Sequence, residues 1–67
     1  MTMTQALDMV RKRSYNTRKE NGTWYISKPY SNASALIEHD GIVFVSLYSA
    51  NLMRDVYVPL QIFANHA

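Results

Sequence analysis

The chain contains no cysteine. That excludes a disulfide staple, a thiolate nucleophile and a zinc–thiolate cluster. Glycine and proline occur only twice each, so few positions are reserved for sharp turns, and those few mark the connections between elements. No long hydrophobic run is present. The longest stretch without a charge, Gly41 to Met53, is thirteen residues, whereas a membrane span needs about 20 apolar residues. No apolar core follows directly on a basic start, as a secretory signal requires. The expectation is therefore a soluble, cytoplasmic protein with its own initiator Met1 and no membrane partner. Acids and histidines are scarce too, at five and two, which makes a thin inventory for catalysis.

What the chain does have is apolar content. Hydrophobic residues make up 48% of 67 positions, more than a disordered chain carries. A domain of this length buries only about 60% of its unfolded surface. Its stability must then come from well-idealised packing, from self-association or from a partner. One domain covering 1–67 is expected. The net charge of +2 is unevenly spread. Residues 1–20 hold five cations and two acids, the remainder two cations and three acids, so the two parts carry +3 and −1. Any electrostatic attraction is local to the first part.

Met3, Ala6, Leu7 and Val10 recur at i, i+3, i+4 and i+7, the signature of one helix face. Thr2, with Gln5 three positions on, supplies a capping box. Asp8 and Lys12 form an i, i+4 pair, and Arg11, Lys12 and Arg13 fall in the last turn, where cations complement the helix dipole. Asn21-Gly22 signals a two-residue hairpin that sets Lys19 opposite Trp24 and Arg18 opposite Tyr25, each cation over a ring. The first arm is poor in β-formers, so a loop leading into a lone strand, Thr23 to Ser27, is an equal alternative. Lys28 to Asn32 reads as a connection. Asp40-Gly41, flanked by Ala35–His39 and Ile42–Leu47, is the clearest hairpin signal in the chain. A further turn at Ala50-Asn51 returns the chain as Met53 to Val58, and Pro59 ends that strand or confines it to an edge.

Two-residue loops at both turns pair Leu36 with Val45, Val45 with Val56 and Val43 with Val58. These share one face. The other face carries Ile37, Ile42, Phe44, Tyr48, Met53 and Tyr57. A sheet with one wet face alternates apolar and polar residues, but here both faces are apolar. The amino-terminal helix covers one of them. The second must be covered by curling into a small barrel, by a homodimer or by another protein. The fold class expected is α+β: an amino-terminal helix followed by an antiparallel meander of four or five strands. In architecture alone this resembles the small Sm-like and SH3-like barrels, and no motif of those families stands in the chain.

No motif asks for chemistry. His39 and Asp40 are neighbours that strand alternation would send to opposite faces, and Asp40 is accounted for as a turn residue. The spacing of His39 and His66 does not call for a metal. Ser46 and Ser49 lack a glycine elbow, and no glycine-rich loop precedes a helix, so hydrolysis and nucleotide binding are both unsupported. The sequons Asn21-Gly22-Thr23 and Asn32-Ala33-Ser34 are read as turns. No catalytic residue, metal or cofactor is expected.

Two surfaces remain as candidates. The first is the basic segment Arg11, Lys12, Arg13, Arg18 and Lys19, interleaved with residues that bond phosphate. Tyr25 and Tyr30 are aromatic surface candidates beside it, while Trp24 is expected as a core anchor. The second is the apolar face of Ile42, Phe44, Tyr48 and Tyr57. The function expected is a small non-enzymatic binding protein. It would act by stoichiometric contact with a larger protein or nucleoprotein partner, as accessory regulators or inhibitors of the phage and mobile-element type do. The alternative is a nucleic-acid-binding regulator that uses residues 11–19.

Overall fold

The computed structural model describes residues 1–65. His66 lies outside that range, so the question of a two-histidine site is not addressed by the described residues. The chain runs through helix α1 (Met3–Lys12), strands β1 (Asn16–Glu20), β2 (Thr23–Ser27), β3 (Ala33–His39), β4 (Ile42–Ser49) and β5 (Arg54–Pro59), and helix α2 (Leu60–Asn65). The strands form one antiparallel sheet in the order β1-β2-β3-β4-β5. This is the expected α+β meander with its full five strands. The sheet stays open, with β1 and β5 as its two edges, so barrel closure is corrected.

The ends of α1 follow from local chemistry. Thr2 Oγ1 accepts from the Gln5 amide at 3.1 Å, and the Gln5 side chain accepts from the Thr2 amide at 2.8 Å. These reciprocal bonds satisfy two donors that the first turn leaves unpaired. At the other end Ser14 takes a left-handed φ of 70°. The Ser14 amide donates to Arg11 O and the Tyr15 amide to Val10 O, both at 3.0 Å. That pair of bonds is a Schellman motif, and it redirects the chain from helix to strand. Tyr15 and Val10 are both buried in the core, which supplies the hydrophobic contact that accompanies this motif.

Of the two readings of Asn21-Gly22, the hairpin is the one found. Both residues have positive φ, 52° and 81°, and Arg18 pairs with Tyr25 and Lys19 with Trp24. Asp40 and Gly41 repeat the geometry at 51° and 78°. The β4–β5 turn differs from expectation. Its loop is Ala50 to Met53, four residues long, and Met53 closes it with a φ of 55° rather than starting the strand. The register accordingly moves by two, to Leu47–Val56 and Val45–Val58. Because the shift is even, every side chain that remains in β5 keeps the face expected for it. A bulge between Ala33 and Ala35 inserts one residue into β3. Asn32 is tied across to β4, its Nδ2 donating to Tyr48 O at 2.8 Å.

The core lies on the inner face of the sheet. Ile26, Leu36, Val43 and Val45 meet Ala6, Leu7 and Val10 of α1 and Leu60 of α2, with Trp24, Leu47, Val58 and Phe63 packed around them. Helix α2 was not anticipated. Pro59 ends β5, and Leu60 then turns inward and is completely buried. Phe63 makes an edge-on contact with Tyr15, ring centroids 6.5 Å apart. Together α1 and α2 cover the inner face. Nothing among the described residues covers the other.

Candidate functional site: two surfaces on opposite sides of the sheet

The basic segment does not form one patch. Alternation in β1 sends Arg18 and Lys19 to opposite faces, and the cations of residues 11–19 are divided among several neighbours. The Arg11 guanidinium donates from Nε to Thr17 Oγ1 at 3.0 Å and lies 5.8 Å from the Trp24 ring centroid. Lys19 Nζ is 5.9 Å from the same ring. Lys12 pairs with Asp8 at 3.1 Å on the exposed side of α1. Arg13 reaches α2, donating from Nη2 to Ala64 O at 3.4 Å, where a cation also meets the negative end of the helix dipole. Arg18 stands on the outer face, 5.1 Å from the Tyr25 centroid and 2.6 Å from Glu20 Oε2. So Arg11 and Lys19 are gathered at Trp24, and the other three cations point elsewhere.

The aromatic candidates also separate. Trp24 is half-buried and packs against the core, as expected of an anchor. Tyr25 is half-buried on the outer face, beside Asn16, Arg18 and Ser27. Tyr30 belongs to the connection before β3. Its side chain is fully exposed and its backbone is left-handed, φ 66°. That conformation is set by the turn Lys28-Pro29-Tyr30-Ser31, closed by the Ser31 amide donating to Lys28 O at 3.1 Å, in which the residue after the proline takes positive φ. Lys28, two residues earlier, lies 5.3 Å from the Tyr15 ring, and Tyr15 OH shares a 2.7 Å hydrogen bond with Ser31 Oγ.

The apolar candidates do come together. Ile42, Phe44 and Tyr48 alternate along β4 on the outer face, and Tyr57 stands beside them on β5. Ile42 is 51% exposed, Tyr48 48% and Tyr57 58%. Ile37, Phe44 and Tyr57, with His39 at the rim, line a shallow hollow. Next to it two small residues form a floor: Ala35 and Ser46 pair across β3 and β4 and are only 7% and 4% exposed. Apolar surface rimmed by polar groups is the kind that protein contacts use. Met53, expected on this face, projects from the loop instead.

Catalytic groupings add nothing to this picture. His39 Nε2 lies 3.2 Å from the Asp40 carboxylate, with both side chains exposed. The expected divergence fails because Asp40 is already in the turn, where strand alternation no longer applies. Among the described residues no group of three or more His, Asp or Glu side chains is placed to hold a metal ion. No helix among them is long and apolar enough to cross a membrane. No family model, no curated protein and no solved structure matches the chain.

Proposed function

We propose that this chain is a small non-enzymatic binding protein that acts by stoichiometric contact with a larger protein or nucleoprotein partner, as an accessory regulator or inhibitor. The observation that carries the reading is the outer face. An open five-stranded sheet leaves Ile42, Tyr48 and Tyr57 exposed and Phe44 half-buried although α1 and α2 already supply the core. Leaving about half of each such side chain in water forgoes on the order of 1 kcal/mol for each one that a contact would finish burying. In so small a domain that is a large share of the available stability. A protein surface laid on this face recovers it.

The test is capture from a lysate of the source cells by immobilised wild type and by Phe44→Glu, each with and without nuclease. The expected result is a defined protein retained near one-to-one by wild type, resistant to nuclease and lost with Phe44→Glu. Retention unchanged by Phe44→Glu would remove the outer face from the function. A second reading, nucleic-acid binding, draws on the gathering of Arg11 and Lys19 at Trp24, a cationic and aromatic site of the kind that binds single strands. It requires that nuclease abolish capture.

A further inference from the structure

The outer face is complementary to itself. Arg18, Tyr25, Ala35, Ser46 and Tyr57 form one row straight across the five strands. Two residues further along each strand, toward the Asp40-Gly41 turn, a second row holds Glu20, Thr23, Ile37, Phe44 and Pro59. The same step in the opposite direction reaches Asn16 and Ser27 on one side of the bulge in β3, and Tyr48 and Asp55 on the other. Read along the strands, β2 presents small, large, small (Thr23, Tyr25, Ser27). At the same three heights β4 presents large, small, large (Phe44, Ser46, Tyr48).

We propose that the outer face is occupied by a second copy of this chain, the two sheets stacked face to face about a two-fold axis that runs along β3. The inference rests on the reading of this face as a protein-contact surface and names its first occupant. Stacked sheets lie about 10 Å apart with their strands nearly aligned. That axis places β2 over the partner's β4, so each ring on these two strands meets a small residue: Tyr25 the partner's Ser46, Phe44 the partner's Thr23, Tyr48 the partner's Ser27. Ala35 and Ile37 meet their own copies on the axis. At the margins β1 lies over the partner's β5, which sets Arg18 over the partner's Tyr57 and Asn16 over the partner's Asp55, so that the Arg18 guanidinium reaches the partner's Asp55 diagonally from the neighbouring row. Asp55 has no ion pair among the described residues, and Arg18 has only its exposed pair with Glu20. An axis perpendicular to the strands is disfavoured. It sets Phe44 against the partner's Tyr48, and Arg18 against Arg18. Growth through the sheet edges is disfavoured as well, because β1 carries Arg18, Lys19 and Glu20, and β5 carries Arg54, Asp55 and Pro59, residues that blunt edge pairing. A larger partner engaged through the same face would displace the second copy, so the two contacts are alternatives.

Sedimentation velocity over a concentration series to about 100 µM tests the arrangement, with far-UV circular dichroism confirming that each variant is folded. Wild type is expected to show a concentration-dependent dimer. Arg18→Glu and Asp55→Arg are both exposed substitutions, and each acts twice in a two-fold dimer, so each should weaken association roughly tenfold. An equimolar mixture of the two variants should regain wild-type affinity to within about threefold, because both margins of the mixed dimer then pair opposite charges. Ser27→Trp, which sets a large ring against the partner's Tyr48, should weaken the dimer without unfolding the chain. A wild type that stays monomeric overturns the inference, and so does a mixture that regains nothing. The proposed function fails separately. A monomer whose capture of a larger protein still depends on Phe44 sinks only the dimer, whereas a dimer that captures nothing sinks only the functional reading.

Discussion

Ser14, Tyr30 and Met53 each hold a left-handed backbone without being glycine, asparagine or aspartate. The residue types that tolerate this region sit where two-residue turns need them, at Asn21-Gly22 and Asp40-Gly41. Ser14 is held there by the two bonds that close α1, at a steric cost of about 1 kcal/mol. Ser14→Gly should therefore raise stability by about 0.5 kcal/mol, the gain being reduced by the greater freedom of glycine in the unfolded chain. A lowered denaturation midpoint would contradict that account. Gly41 shows the converse. A Cβ added there meets no atom within 4 Å, so the cost of Gly41→Val is conformational rather than steric crowding. We expect a loss of about 1–2 kcal/mol in chemical denaturation.

At the scale of elements, α1 is defined by its own caps whereas α2 is defined by what it docks against. Thr2→Ala removes one half of the capping box and should cost about 1 kcal/mol. The six residues of α2 are too few to hold a helix alone. Its anchors are Leu60 in the core, Phe63 on Tyr15 and the Arg13 bond to Ala64 O. Leu60→Ala leaves a cavity in the most buried part of the protein and should cost about 2–4 kcal/mol. Protection of α2 amides from hydrogen exchange should fall with it. A variant that keeps full stability would mean that α2 contributes nothing to the core.

For the whole molecule, the division of charge matters less than its placement. Arg11 and Lys19 are on the side of the sheet that carries the helices, and Arg18 is on the other. A nucleic acid bound at Trp24 should lose affinity linearly in log salt, and Lys19→Ala should reduce the slope by about 0.7–0.9. Arg18→Ala should leave that slope unchanged. Should both substitutions flatten it equally, the two faces are not acting separately and the placement argued here is wrong. Against a protein target engaged through the outer face, Arg18→Ala is expected chiefly to slow association, by roughly two- to fivefold at low salt.

Much of this protein was legible in its sequence because the deciding physics is local. The helix face of Met3, Ala6, Leu7 and Val10, its capping box, the Asp40-Gly41 hairpin and the apolar run on each face of β4 depend on neighbours within a few positions. Even the misjudged length of the Ala50–Met53 loop preserved the faces, since a two-residue slip keeps side-chain parity. The tertiary structure alone decided three things. Helix α2 exists because Leu60 finds a core already built by α1 and the sheet, a gain that a six-residue window does not display. The basic segment is dispersed because β1 became a strand and not a loop, which sends Arg18 and Lys19 apart. The sheet stayed open, leaving the outer face bare, because β1 and β5 lie at opposite ends of a meander whose inner face is already filled by two helices.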